Sequence, residues 1–144
     1  MEALAAPAGA AAPADPPRAA GRLLELDPAT LEVRSAQPLT QAPLALAVAP
    51  DGARAYALVG RGHPAYADGL TALDLVAGGE RPFATLPGAA LGLAATTERV
   101  YASGPTQGVV WALDRRTGRL VAALPVGPGP AGLALGPAPA AGAR

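Results

Sequence analysis

The sequence is built from an internal repeat, which restricts the folds open to the chain more than any other feature. A shift of 87 residues without gaps places residues 21–50 on residues 108–137, and ten of the thirty paired positions are identical. A third, more divergent copy lies between them, where RVYA at 99–102 matches RAYA at 54–57. Recurring aspartates mark a period of 40–47 residues (74 − 27 = 47 and 114 − 74 = 40). A period of this length predicts consecutive copies of one small supersecondary unit.

Each copy reads as four short strands separated by turns. First strands, with small residues between larger ones, are predicted at LALAV (44–48), LGL (91–93) and GLAL (132–135). Second strands are predicted at RAYAL (54–58) and RVYA (99–102). Third strands are predicted at LLELD (23–27), LTALD (70–74) and VVWALD (109–114), and fourth strands at VRSAQ (33–37), RPFATL (81–86) and RLVAALPV (119–126). Because the third strands are apolar on both faces, we expect sheets packed between neighbouring sheets.

The predicted turns contain the residues that turns require. In PDG at 50–52, proline fixes φ and glycine is free to take a positive φ. The aspartate that follows each third strand is predicted to open a hairpin turn, with its carboxylate accepting a nearby backbone N–H. In the last copy, Gly118 is predicted to supply the left-handed residue.

A period of 40–47 residues with four strands per unit is typical of β-propeller blades. The sequence resembles the YVTN-repeat β-propeller family, which includes lactonase-like and surface-protein propellers, in PLALAVAPDGARAYAL (43–58), VWALDRRTGRLVAALPVG (110–127) and PAGLALGP (130–137). The middle copy departs from the family pattern where TTE at 96–98 replaces PDG. The expected fold is all-β: a partial β-propeller of about three four-stranded antiparallel blades, two complete and one incomplete. The resemblance brings no catalytic residue with it.

Composition divides the chain into three parts. Residues 1–20 are predicted to be a disordered Ala/Pro-rich arm, residues 21–137 the partial propeller, and residues 138–144 a flexible tail. The arm has no charged n-region, and prolines interrupt its apolar stretch, so no signal peptide is recognised. Localisation stays open, because the resemblance implies that export is possible. Fewer than four blades do not close a ring, so we expect either a fragment of a larger propeller or half of an oligomeric ring.

Composition also excludes several classes of protein. The net charge is zero and the basic residues are scattered, which leaves no patch for binding nucleic acid. The chain has no cysteine, which excludes disulfides and thiolate chemistry. The sequence has no run of eighteen apolar residues, so no membrane-spanning helix is predicted. Lysine, asparagine and isoleucine are absent while alanine, glycine, proline and arginine are abundant, a composition typical of a high-GC bacterium.

The predicted ligand-binding residues are His63, Tyr66 and Asp68, in a loop that joins a second strand to a third. This loop, RGHPAYADG, is longer than its counterpart PTQG, and loops at that end of a propeller often bind ligands. The competing interpretation is a surface loop with an incidental histidine. One histidine and one aspartate make a poor metal site, and no second histidine exists for a catalytic dyad with a serine. No metal, cofactor or catalytic residue is therefore predicted.

Other conspicuous residues are given structural roles. The three repeated aspartates could be imagined as a carboxylate ring for a divalent cation, but turn capping explains their recurrence. Trp111 lies at an apolar position of its repeat, which predicts a contact in the core. Arg115 and Arg116 are predicted to lie in a solvated turn.

The sequence favours a non-enzymatic β-propeller module that binds a protein or small ligand through one face. The alternative is a fragment of a lactonase-like or quinoprotein-like propeller enzyme whose catalytic residues are not in this chain. A degenerate piece that does not fold stably is a third hypothesis.

Overall fold

The computed structural model describes residues 21–60 and 67–137, and these residues form ten β-strands and no helix. The strands are β1 (Gly21–Leu26), β2 (Val33–Leu39), β3 (Pro43–Val48), β4 (Arg54–Val59), β5 (Ala67–Asp74), β6 (Glu80–Ala90), β7 (Gly92–Ala95), β8 (Arg99–Gly104), β9 (Val109–Asp114) and β10 (Leu120–Pro125). Every pair of neighbouring strands is antiparallel, so the all-β prediction is confirmed. The predicted arm and tail lie outside the described residues. Across the described ranges, no helix is long and apolar enough to cross a membrane.

The strands form three sheets, each hydrogen-bonded in chain order. Sheet A contains β1 and β2, sheet B contains β3 to β6, and sheet C contains β7 to β10. Because consecutive strands are antiparallel neighbours, each four-stranded sheet is a simple meander. No sheet among the described residues closes on itself.

The predicted first strand at 132–135 is wrong, since these residues join no sheet. A strand needs a hydrogen-bonded neighbour along its edge, and none of the described strands pairs with this segment. The segment that contains it lies against a face of sheet C instead, where Ser103 Oγ donates a hydrogen bond of 2.7 Å to the carbonyl of Ala131. The incomplete unit therefore contributes two strands, β1 and β2, and not three.

Sheet B lies between sheets A and C, as expected for strands that are apolar on both faces. The main core lies between sheets B and C, and its larger buried members are Tyr56, Leu58, Leu70, Leu86, Leu93, Val100, Trp111 and Leu113. A smaller core joins the other face of sheet B to sheet A and contains Leu39, Ala55, Ala57, Val59 and Leu73. Alanine is common in both cores, which agrees with a sequence that has only 3% aromatic residues.

Neighbouring sheets also meet at an outer contact that recurs. The turn between β9 and β10 brings Gly118 so close to β6 that a Cβ on this glycine would lie 2.4 Å from the carbonyl oxygen of Phe83. In the same way, the turn between β5 and β6 meets β2, where Gln37 Nε2 donates a hydrogen bond of 2.9 Å to the carbonyl of Gly79. In both cases the last turn of one sheet touches the fourth strand of the sheet before it. The sheets are therefore stacked by a repeated geometry.

Candidate functional site

The meander topology gives each sheet two distinct ends. The turn end carries the short connections between first and second strands and between third and fourth strands, such as residues 49–53 and 75–79. The loop end carries the connection between second and third strands at 105–108, the facing ends of β4 and β5, and the links from one sheet to the next. Of the predicted ligand-binding residues, Asp68 lies at the loop end, near the start of β5.

At the turn end, three aspartates cap the hairpins in the same way. Asp114 Oδ1 accepts hydrogen bonds of 2.9 Å from the backbone N–H groups of Arg116 and Thr117. Asp74 Oδ1 accepts from the N–H groups two and three residues further on, at 2.9 and 2.8 Å. Asp27 Oδ1 does the same at 2.8 and 3.1 Å. The predicted turn-capping role of these residues is therefore confirmed.

The fourth residue after each capping aspartate has a left-handed backbone. Gly118 has a φ of 74° and Gly78 a φ of 76°, as the prediction for Gly118 requires. The equivalent residue of the first unit is Leu31, which has a φ of 60° although it carries a side chain. Left-handed backbone strains residues that have a branched or bulky side chain. Leu31 is 71% exposed, so little packing compensates for this strain.

Arg115 contradicts its prediction as a solvated turn residue, because its side chain is only 12% exposed. Its guanidinium pairs with the carboxylate of Asp51 and donates from Nε to the hydroxyl of Tyr56 at 3.1 Å. It also donates to the carbonyl of Thr97 at 3.1 Å. Since Asp51 lies in the turn between β3 and β4 and Tyr56 lies in β4, this network, which we call the arginine clamp, joins sheets B and C. Arg116 is exposed, as predicted.

Four aspartates and Arg115 at the turn end have pKa values shifted toward their ionised forms. The hydrogen bond from the Arg115 side chain lowers the pKa of Asp51, and a hydrogen bond from the backbone N–H of Ala53 lowers it further. Backbone N–H donors are the main cause of the lowered pKa values of Asp27, Asp74 and Asp114. The pairing with Asp51 raises the pKa of Arg115. These carboxylates are engaged in turns and an ion pair, and among the described residues no group of acidic or histidine side chains could hold a metal ion.

At the loop end, Asp68 is the only predicted ligand-binding residue inside the described ranges. It is half-buried near the start of β5. His63 and Tyr66 lie outside the described residues, so the proposed polar patch stays a prediction.

Sequence reasoning missed two polar residues at the loop end. Ser103 is fully buried; its Oγ accepts a hydrogen bond of 2.9 Å from Gly92 N–H and donates one of 2.7 Å to Ala131. Gln107 lies close to Gly88 near the end of β6, where a Cβ on the glycine would be 2.2 Å from Nε2 of Gln107. A single serine or glutamine in a degenerate repeat gives no sequence signal for such contacts.

The single tryptophan belongs to the core. Trp111 is 3% exposed and packs between sheets B and C, which confirms its predicted structural role. Its ring covers Gly104, where a Cβ would lie 2.4 Å from a ring carbon. Trp111 is therefore not available for stacking on a ligand.

Comparison with known proteins gives a similarity of fold. No family model and no curated protein matches the sequence. Among solved structures 24 chains match, and one of them is the Kuenenia stuttgartiensis Hydrazine Synthase. That structure is 19% identical with a TM-score of 0.58, and the alignment covers 77% of this chain and 32% of that chain. The chain thus spans about a third of the length of the structure it matches, and the likeness concerns the fold alone.

Proposed function

We propose that the chain is part of a β-propeller that binds a protein or a small ligand through its loop end, without catalysing a reaction. Two four-stranded meanders packed face to face support the propeller architecture. The repeated outer contact between sheets and the YVTN-repeat resemblance support the same architecture. Further blades complete the ring, either from a longer polypeptide or from a second chain.

The observation that carries the binding proposal is the contrast between the two ends of the sheets. At the turn end the capping aspartates, Asp51 and Arg115 are occupied by turn hydrogen bonds and by the arginine clamp. In the sequence, the connection between the second and third strands of sheet B is longer than that of sheet C and contains His63 and Tyr66, and Asp68 is the second residue of the strand that follows. Longer loops on a rigid scaffold are where binding residues concentrate.

The test is a capture experiment with the full chain. Immobilised protein is exposed to metabolite mixtures and to lysate, and captured species are compared between the wild type, His63→Ala/Tyr66→Ala and Arg116→Ala. We expect a species that binds the wild type and Arg116→Ala but not the double variant. A folded ring that captures nothing, or equal loss in both variants, contradicts the proposal.

A second candidate function is part of a propeller enzyme of the lactonase-like or quinoprotein-like kind. The observation that favours it is the YVTN-repeat resemblance, because that family includes lactonase-like propellers. A completed ring that hydrolyses lactones or reduces an electron acceptor would support this candidate. A completed ring inactive in both assays argues against it.

A further inference from the structure

Among the described residues, a row of apolar side chains on β3 is largely exposed on the face of sheet B that looks toward sheet A. Leu44, Leu46 and Val48 are 57%, 42% and 53% exposed. Leu46 and Val48 lie directly opposite Ala57 and Ala55 in the ladder, and these alanines are buried in the smaller core. The exposed row therefore continues an interface between sheets that sheet A covers only in part.

The interface between sheets B and C indicates what kind of surface covers such a row. There, the first strands β3 and β7 face each other, and Leu93 of β7 lies in one cluster with Ala45 and Ala47 of β3. A large side chain from one first strand thus meets small residues of the other. In this fold, a first strand therefore has one side with small residues, its small side, which faces the side with large residues on the first strand of the next sheet.

The segment 130–137 presents such a small side with no described residue against it. Its other side lies on sheet C, where Leu133 is half-buried and a Cβ on Gly92 would be 2.4 Å from the carbonyl oxygen of Ala131. On the outward side, Gly132 has open space where a Cβ would stand, and Ala134 is exposed. The segment also repeats the sequence of β3 at the shift of 87 residues, so it carries the first-strand pattern.

We infer that a second copy of this chain covers the exposed row, with its segment 130–137 laid on Leu44, Leu46 and Val48. Gly132 and Ala134 of that copy then meet the row as the alanines of β3 meet Leu93. The row and the segment lie at opposite ends of the stack of sheets, so the contact is head-to-tail, and two copies close a ring. This inference rests on the propeller architecture proposed above and names the second chain as the source of the further layers.

Cysteine cross-linking tests the pairing directly, because the chain has no cysteine of its own. Leu46→Cys and Gly132→Cys are made as separate single variants and mixed under oxidising conditions. Within one copy, sheets B and C separate the two positions, so only contact between copies can join them. We expect a disulfide-linked species of twice the chain mass in the mixture and not in either variant alone. Val76→Cys, at an 83% exposed residue in a turn, replaces Leu46→Cys in the control mixture.

Mass in solution gives the second measurement. The wild type is expected at twice the chain mass by light scattering, and Leu46→Glu or Gly132→Trp at the mass of one chain. Val76→Glu should leave the mass of the particle unchanged, and circular dichroism verifies that each variant keeps its β-structure. Both substitution sites are exposed, so the folded chain tolerates them.

A wild type with the mass of one chain and no mixed cross-link overturns the inference. A cross-link that forms equally well with the Val76→Cys control overturns it too. Neither readout involves a ligand, so the two proposals fail separately. A cross-linked dimer that captures nothing refutes the binding function only, and a monomer that captures a ligand refutes the pairing only.

Discussion

Adding a methyl group to Gly118 should destabilise the chain far more than adding the same group to Gly78. Both glycines are the fourth residue after a capping aspartate, with φ values of 74° and 76°. They differ in their surroundings. A Cβ on Gly118 would lie 2.4 Å from the carbonyl oxygen of Phe83 on the neighbouring sheet, and a Cβ on Gly78 would meet nothing within 4 Å.

The loss in the free energy of unfolding is estimated from backbone strain, from the freedom of the unfolded chain and from crowding at the added Cβ. A left-handed backbone costs an alanine about 1–2 kcal/mol. Replacing glycine returns about 0.4–1 kcal/mol, because the unfolded chain loses conformational freedom. Gly78→Ala should therefore lower the free energy of unfolding by roughly 0.5–1 kcal/mol. Gly118→Ala bears the same cost, plus about 1–3 kcal/mol for overpacking against a backbone that cannot move aside. The difference between the variants should be about 1–3 kcal/mol.

Urea denaturation followed by tryptophan fluorescence measures both variants against the wild type, since Trp111 is buried between sheets B and C. The m-value should stay constant while the midpoint falls. If the two substitutions cost the same, the turn of sheet C does not rest on sheet B, and the argument for a repeated outer contact fails with it.

Three further predictions concern the turn end. Leu31→Gly should raise the free energy of unfolding by roughly 0.5–1 kcal/mol, because relieved left-handed strain exceeds the added freedom of the unfolded chain; an unchanged or lower urea midpoint would contradict this. The pKa of Asp114 is lower in the folded chain than its ordinary value of about 3.9, so its stabilisation is complete above that pH and is lost as the pH falls through the folded pKa. Asp114→Asn keeps a capping oxygen without this titration, and its loss of stability between pH 5 and pH 2 should be smaller than that of the wild type when both are followed by thermal melts. Arg115→Met should lower the melting temperature and Arg116→Met should not, because only Arg115 joins two sheets; equal shifts in differential scanning fluorimetry would count against the arginine clamp.

Local chemistry explains which parts of this fold could be predicted from the sequence. The strand positions follow from apolar patterning, and the hairpins follow from Asp27, Asp74 and Asp114, whose capping bonds reach only two or three residues along the chain. Because such a turn depends only on neighbouring residues, its sequence pattern is recognisable even where the rest of the repeat has diverged. The left-handed residue at 118 could be predicted because glycine is the residue that this conformation favours.

Contacts between sheets could not be predicted in the same way. Arg115 pairs with Asp51 across 64 residues of sequence, and only one unit has an arginine turned into this contact. The segment 132–135 has the pattern of a strand, but whether it becomes one depends on a neighbour that the pattern does not specify. The candidate ligand site was predicted from loop length and residue type, which do not determine how His63 and Tyr66 are arranged.

The capped turns have a consequence for how such a chain can change over evolutionary time. Since each aspartate binds N–H groups of its own turn, a duplicated or deleted stretch of one repeat length carries its complete turn with it. Recombination between units therefore need not re-establish any distant partner to keep a hairpin intact. Leu31 shows the tolerance that this locality allows: the turn keeps its shape where a leucine stands at the position that glycine holds in the other two units.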